Sequence, residues 1–260
     1  MSKIANAFAD GKAFIGFLTA GDPSLGMTEE LILAMERGGA DLVEIGIPFS
    51  DPIAEGPVIQ RANIRALDAG ATVDGVFGTV ERVRGRTAMP LVFLTYLNPV
   101  FFYGYERFFA RCEAVGIDGI IIPDLPFEEK EEIAPVAAAH NVDVISLIAP
   151  TSETRIRTIA QQADGFLYVV SSMGVTGVRQ EICGDLHGML AAVRRTTALP
   201  AAVGFGIHTP EQAAAVADIA DGVIVGSAIV GLIEKYGVDA VEPVEDYVRS
   251  MKAAIGGRPL

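Results

Sequence analysis

A glutamate, Glu44, interrupts an otherwise apolar segment over residues 41–47 that has the composition of a buried strand. An unpaired buried carboxylate is costly, so we expect this side chain to face an opening at the end of the strand. Burial there raises the pKa of a carboxyl group toward neutral pH, where the group can act as a general acid or base. The alternative is that Glu44 forms an ion pair with a cation inside the fold.

Two further acids, Asp51 and Glu55, follow in a loop over residues 48–58 that contains three prolines. Proline restricts the backbone, so the loop is predicted to hold its carboxylates in a fixed place beside Glu44. Three acids in this arrangement indicate acid–base chemistry. The alternative is a solvated acidic turn without a role in catalysis.

Glycine-rich segments occur at residues 171–177, 204–206 and 226–227, at the ends of three apolar segments that have the composition of strands. Glycine lets a ligand approach the backbone closely, and the N–H groups at the start of a following helix bind phosphate. Glycine at the ends of the last two strands is typical of phosphate-binding barrels, so the pattern predicts a phosphorylated small molecule. The alternative is that these glycines only form tight turns. Tyr96 and Tyr168 are expected either in the pocket wall or in the core.

Eight short apolar segments with many β-branched residues recur along the chain, at residues 14–20, 41–47, 90–96, 116–124, 142–150, 165–172, 200–207 and 221–229. They are nearly all-apolar rather than alternating, which is typical of strands buried on both faces. Strand and helix segments alternate, so we predict an α/β fold with a parallel sheet. Eight such units in 260 residues fit one (β/α)8 TIM barrel domain spanning residues 1–260. The alternative is an open, doubly wound sheet.

Amphipathic stretches between the apolar segments predict helices. Ser152 and Thr209 are predicted N-caps, and Thr28, followed by two glutamates, is predicted to begin another helix. The predicted helices are Thr28–Arg37, Phe102–Val115, Glu128–His140, Ser152–Gln162, Leu186–Arg195 and Thr209–Ile219.

The chain is acidic, with 33 Asp and Glu against 20 Lys and Arg and a net charge of −13. This charge argues against nucleic-acid or anionic-membrane binding, which requires clustered cations. The two cysteines and three histidines lack the spacing of a disulfide framework or a metal site, so no metal is predicted. Residues 1–12 contain no continuous apolar segment, so we expect no signal peptide and a cytoplasmic location.

The segments 14–23, 44–57, 95–96, 122–126, 174–177, 204–207 and 226–230 resemble the α subunits of tryptophan synthase, and the resemblance runs along nearly the whole chain. The stretch over residues 44–52, EIGIPFSDP, is highly specific to that family. The resemblance implies a carbon–carbon lyase that cleaves indole-3-glycerol phosphate by a retro-aldol reaction into indole and glyceraldehyde 3-phosphate. It implies that Glu44 is the general acid and base and that Glu55 binds the indole N–H.

The resemblance also assigns residues to the rest of the site. The pocket residues that it implies are Phe17, Tyr96, Tyr168 and Thr176, and the phosphate contacts are Gly177, Gly206, Gly226 and Ser227. The sequence departs from the family pattern at Glu55, where aspartate is the commonest residue, and at Gly16, where proline is common. The longer acid requires a shifted loop or a different rotamer.

The resemblance further implies a partner, a separate β subunit that carries pyridoxal phosphate and joins indole to serine in an α2β2 heterotetramer. This chain is then expected to hold no cofactor, and its loop 48–58 and the region from Asn98 are the expected contact surface. Three alternatives remain: a lyase that acts alone and releases indole, a pseudo-enzyme that only activates a β subunit, and another phosphate-binding barrel such as a sugar-phosphate epimerase or isomerase.

Overall fold

Nine short parallel strands form one continuous sheet in the computed structural model, which describes residues 3–170, 179–204 and 206–256. They are β1 Ala13–Thr19, β2 Leu42–Gly46, β3 Leu91–Leu94, β4 Gly119–Ile121, β5 Asp143–Val144, β6 Ser146–Ile148, β7 Leu167–Val170, β8 Ala201–Gly204 and β9 Gly222–Val225. Their spatial order is β5-β4-β3-β2-β1-β9-β8-β7-β6. Every strand pairing is parallel, as the uniformly apolar segments predict.

Helices connect the strands and cover the outside of the sheet. The α-helices are α1 Leu25–Arg37, α2 Pro57–Asp68, α3 Val73–Arg84, α4 Leu97–Tyr103, α5 Tyr105–Val115, α6 Ala134–Ala139, α7 Glu153–Gln161, α8 Arg179–Thr196, α9 Pro210–Ala217, α10 Ser227–Tyr236 and α11 Val241–Ala254. Short 3-10 helices span Ile4–Phe8, Phe127–Glu132 and Gly237–Asp239. Within the described residues, no helix combines the length and the apolar character needed to cross a membrane.

The two end strands of the sheet, β5 and β6, are neighbouring pieces of one stretch of chain. Only Ile145 separates them, and its N–H donates to the carbonyl oxygen of Ile120 at 2.9 Å. β5 pairs with β4 and β6 pairs with β7, so the two edges of the sheet meet at this interrupted strand and the sheet closes into a barrel. The predicted (β/α)8 barrel is therefore confirmed, with its fifth strand divided in two, and the open doubly wound sheet is excluded.

The amino ends of the strands are closed by the first 3-10 helix. Ile4 is fully buried there, and the ring of Phe8 lies 5.8 Å from that of Phe166. Above this plug, alternate strand residues such as Ile15 and Leu42 fill the barrel interior. Because the amino ends are plugged, open space is left at the carboxyl ends, where barrel enzymes place their sites.

The capping residues predict some helix termini correctly. Ser152 and Thr209 accept hydrogen bonds from Arg155 N–H and Gln212 N–H, so both predicted N-caps are confirmed. The predicted start at Thr28 is wrong, because the helix begins at Leu25 and Ser24 is its N-cap. The hydroxyl of Thr28 instead accepts from Gly21 N–H at 2.9 Å inside the fold.

Other helices differ from the predicted boundaries. Helices α2 and α3, which both lie between β2 and β3, were not predicted from the sequence. The helix predicted over 102–115 is divided at Gly104, whose φ of +90° is outside the helical region and suits glycine. The helix predicted over 128–140 is a 3-10 turn followed by the short α6.

Candidate functional site

Glu44 lies in β2 with its side chain in the barrel interior, between Phe17 on β1 and Val92 on β3 in the strand register. It is 1% exposed and lines a cavity of about 690 Å³ at the carboxyl ends of the strands. Its Oε1 has no hydrogen-bond partner, and Glu44 forms no ion pair among the described residues. Burial raises the pKa of this carboxyl group to about 8, so it carries a proton at neutral pH.

This shift makes stability depend on pH. In the unfolded chain, the carboxyl group of Glu44 loses its proton near its ordinary pKa of 4.5. In the folded chain, the same group retains its proton up to about pH 8. Deprotonation therefore favours the unfolded state, and the contribution of Glu44 to stability falls as pH rises through this window. We expect the Glu44→Gln variant to gain stability relative to the unmodified protein between about pH 5 and about pH 9, as measured by urea unfolding. A constant difference across that range would contradict the raised pKa.

Glu55 lines the same cavity as Glu44, in the loop between β2 and α2. Asn63 Nδ2 donates to Glu55 Oε2, so the longer acid reaches across to α2. Next to it, Ala54 N–H donates to the hydroxyl of Tyr96 at 3.1 Å and fixes the loop to the residue before α4. Burial raises the pKa of Glu55, and the hydrogen bonds with Asn63 and Tyr96 oppose that rise.

Two predicted residues have other positions. Asp51 is exposed, its carboxylate accepts from the hydroxyl of Ser50, and it does not line the cavity, so the structure does not bring it to Glu44 and Glu55. Tyr96 is 1% exposed and lies behind the loop rather than in the cavity wall. Burial raises the pKa of Tyr96 to about 12, so its hydroxyl stays protonated.

Phe17 and Tyr168 form aromatic walls of the cavity, and glycines make room for both rings. A Cβ on Gly46 would lie 2.8 Å from Phe17 Cζ, and a Cβ on Gly204 would lie 2.5 Å from the Tyr168 hydroxyl oxygen. Both distances are shorter than van der Waals contact. Burial, together with the nearby Glu44, raises the pKa of Tyr168 well above its ordinary value.

Gly204→Ala is expected to displace the Tyr168 ring into the cavity. Because the displaced ring would occupy cavity space that the substrate needs, we expect kcat/KM for the reaction at this site to fall about tenfold or more and the free energy of unfolding to fall by about 1–3 kcal/mol. Gly188→Ala on α8 is the control, since no described atom outside its own helix backbone lies within 4 Å of its added Cβ. Kinetics and urea unfolding of the two variants measure the difference, and equal behaviour would contradict the prediction.

Gly206, Gly226 and Ser227 form a further part of the cavity wall. Gly206 has a φ of +78°, a conformation that favours glycine. Helix α10 begins at Ser227, with Gly226 as its N-cap and no side-chain cap, whereas α9 is closed by a capping box of Thr209 and Gln212. Of these two helices, α10 is thus the one whose first N–H groups are left for an anion. The predicted residues Thr176 and Gly177 lie outside the described residues.

Sequence reasoning missed several residues of the site. Much of the remaining wall is apolar, with Ile59, Leu94, Leu147, Val170 and Ile224. His208 also lines the cavity and is, within its described lining, the one residue that can carry a positive charge. The ring Nδ1 lies 2.9 Å from the carbonyl oxygen of Gly206, which can only accept, so Nδ1 carries a proton.

Asn63 was missed although the sequence contains a signal for it, because it is a polar residue on the buried face of α2, between Ala62 and Ala66. An amide side chain on an apolar helix face indicates a buried hydrogen bond, but it does not indicate which residue forms that bond. No group of three or more potential ligands for a metal ion occurs within the described part of the chain.

Comparison with known proteins identifies the family. The sequence model of the tryptophan synthase alpha chain matches residues 4–256. The chain belongs to the tryptophan synthase alpha chain family. The tryptophan synthase alpha chain of Lacticaseibacillus casei is 50% identical over 258 residues, which cover 99% of this chain and 97% of that protein.

Solved structures of tryptophan synthase alpha chains have the same fold. The alpha subunit from Legionella pneumophila str. Paris superposes with a TM-score of 0.89 at 38% identity, covering 98% of both chains. A chain from the tryptophan synthase a2b2 complex of Pyrococcus furiosus superposes with a TM-score of 0.87 at 36% identity, covering 94% of this chain and 99% of that one.

Proposed function

We propose that the protein is the lyase subunit of a tryptophan synthase and cleaves indole-3-glycerol phosphate into indole and glyceraldehyde 3-phosphate. Membership of the family supports this reaction, and the observation that carries it is Glu44. A fully buried carboxyl group with a pKa of about 8 faces a large, mostly apolar cavity at the carboxyl ends of the barrel strands. Few structural roles require a carboxyl group in such a place.

Retro-aldol cleavage needs one proton added and one removed. C3 of the indole takes up a proton, and the hydroxyl on the adjacent glycerol carbon then loses one as the C–C bond breaks. Glu44 is protonated at neutral pH and so can supply the first proton. The buried carboxylate left behind is a stronger base than one in water and can accept the hydroxyl proton, which returns Glu44 to its starting state.

Glu55 is assigned to the indole ring. Protonation at C3 places positive charge on the ring nitrogen, and a carboxylate that accepts a hydrogen bond from the N–H stabilises that charge. Glu55 lies in the wall of the same cavity, and its carboxylate is held by Asn63. Phe17 and Leu94 supply apolar surface to the same cavity, which suits the indole ring.

The phosphate is assigned to Gly206, Gly226 and Ser227, together with Thr176 and Gly177 on the basis of the resemblance alone. Backbone N–H groups at the start of α10 supply donors without positive side chains. This explains how a chain with a net charge of −13 can take an anionic substrate. His208 adds one side chain that can be charged, and its ring lies beside Gly206.

Ser227→Glu tests the phosphate assignment. A carboxylate in the first turn of α10 favours the helix dipole, so we expect the free energy of unfolding to stay constant or rise. The same carboxylate repels phosphate, so we expect KM to rise by about tenfold or more. Ser227→Gln is the uncharged control of similar size. A KM equal in the two variants, measured by steady-state kinetics, would show that the phosphate binds elsewhere.

The partner is assigned as a β subunit that binds pyridoxal phosphate, while this chain holds no cofactor. The apolar side chains Ile53, Phe101 and Phe102 are 79%, 66% and 91% exposed, in the loop that carries Glu55 and in the helix after β3. Exposed apolar side chains next to a site are typical of a contact surface.

We also propose that residues 1–260 form one domain and that the protein is cytoplasmic.

An indole-release assay with and without a tryptophan synthase β subunit tests the proposal. We expect the chain alone to form indole from indole-3-glycerol phosphate slowly and the complex to form tryptophan rapidly. Fast indole release by the chain alone, unchanged by the β subunit, would favour a lyase that acts by itself. Stimulation of the β subunit without any cleavage would favour the pseudo-enzyme.

A further inference from the structure

A buried asparagine on α2 joins Glu55 to the first part of its own loop. Asn63 is 4% exposed. Its Nδ2 donates to Glu55 Oε2, and its Oδ1 accepts from the N–H of Phe49 at 3.3 Å. Both halves of the amide therefore form hydrogen bonds. If the amide were flipped, its NH2 group would face the N–H of Phe49 and its oxygen would face the carboxylate of Glu55, and both contacts would be repulsive. The orientation of the side chain is fixed by its partners.

Helix α2 gives Asn63 a firm support. Arg65, two residues further along, donates two hydrogen bonds to the buried carboxylate of Asp22, at 2.9 and 2.7 Å, and a third to Glu234 at 3.0 Å. These contacts fix α2 both to the loop after β1 and to α10. An amide on such a helix can hold a flexible side chain in one place.

Asn63 acts at a distance from the reacting atoms. Glu55 lines the cavity, whereas Asn63 does not. A glutamate has three side-chain torsions, and its carboxylate reaches one position only if contacts select it. Two side chains donate to this carboxylate, the hydroxyl of Tyr96 and the amide of Asn63, and Asn63 is the one that lies on α2.

We propose that Asn63 is a positioning residue, which holds the carboxylate of Glu55 against the indole N–H and thereby raises kcat. The inference rests on the proposed role of Glu55. Misplacement of a group that stabilises charge in the transition state lowers kcat more than it raises KM. Asn63 therefore matters through Glu55 and has little effect on the reaction once Glu55 is removed.

A double-mutant cycle of Asn63→Asp and Glu55→Ala tests this coupling. Aspartate keeps an acceptor for the N–H of Phe49 but replaces the donor to Glu55 with a repelling oxygen. In the chain that retains Glu55, we expect Asn63→Asp to lower kcat for indole formation about tenfold or more with a smaller change in KM. In the Glu55→Ala chain, we expect the same change to alter kcat by less than about threefold.

Asn141→Asp is the matched control, because Asn141 Nδ2 donates to Glu113 Oε1 at 2.8 Å in an equivalent pair on the surface. We expect its kcat to match that of the unmodified chain, with urea unfolding to correct for the folded fraction. If Asn63→Asp does not fold, Asn63→Ala completes the same cycle. Equal loss of kcat in both backgrounds overturns the inference and leaves the role of Glu55 intact. A Glu55→Ala chain with full activity overturns the role of Glu55 itself.

Discussion

Replacement of Glu44 by glutamine is expected to lower kcat for indole formation by about 10³-fold. Glutamine has the size of glutamic acid but cannot transfer a proton. Because the pKa of Glu44 is about 8, the neutral acid is the form present at neutral pH, so the uncharged amide fits the same space without a change in local charge. The packing around Phe17 and Tyr168 should therefore persist, and the loss should fall on the chemical step.

Steady-state kinetics and urea unfolding separate these effects for Glu44→Gln. We expect KM to change by less than about threefold, because the substrate contacts of a neutral acid and an amide are similar. Glu131→Gln, which removes an exposed carboxylate, is the control. A kcat for Glu44→Gln within about tenfold of the unmodified protein would remove Glu44 as the proton donor, since general acid–base catalysis contributes about 10²–10⁴-fold.

The position of Glu44 was predictable because burial of a charge is costly wherever it occurs. One acid in an apolar strand segment predicted both the orientation toward an opening and the raised pKa. Gly206 and Gly226 were predicted to let a ligand approach the backbone, and the structure places both in the cavity wall, while their contact with phosphate stays a prediction. In each case the residue type alone restricts what the position can do.

Residues whose role depends on a distant partner were harder to predict. The buried face of α2 carries Asn63, but nothing local shows that its partners are Phe49 and Glu55. The glycine pattern predicted that Gly204 belongs to a phosphate loop, whereas the structure shows that it makes room for Tyr168. The roles of Asn63 and Gly204 both depend on which strands and helices are neighbours in the folded barrel, and the local sequence does not contain that information.

The same reasoning explains the two acids of the loop. Asp51 and Glu55 have the same charge and lie four residues apart, so the residue pattern alone did not distinguish them, and only the family resemblance singled out Glu55. In the folded chain Asp51 is exposed, whereas Glu55 is partly buried against α2. A proline-rich loop predicts rigidity but not the face that each side chain takes, which is set by the helix packed behind it.

The Glu55 series is expected to have the second largest effect. Glu55→Ala should lower kcat by about 10²-fold, because the positive charge that develops on the indole ring loses its counter-charge. Glu55→Asp should retain activity within about tenfold of the unmodified chain, since it keeps the charge but is one methylene shorter and loses reach toward Asn63. Glu55→Gln keeps the length and the acceptor for the indole N–H but has no charge.

The order of kcat values in this series decides what Glu55 contributes. If charge stabilisation dominates, aspartate outperforms glutamine, whereas a hydrogen bond to the N–H alone would make glutamine the better replacement. Asp51→Asn is the control from the same loop, because its carboxylate is exposed and lies outside the cavity. We expect its kcat to remain unchanged. Equal kcat for the alanine, aspartate and glutamine variants would mean that the indole nitrogen meets another group, and Glu44 would then act without a second carboxylate.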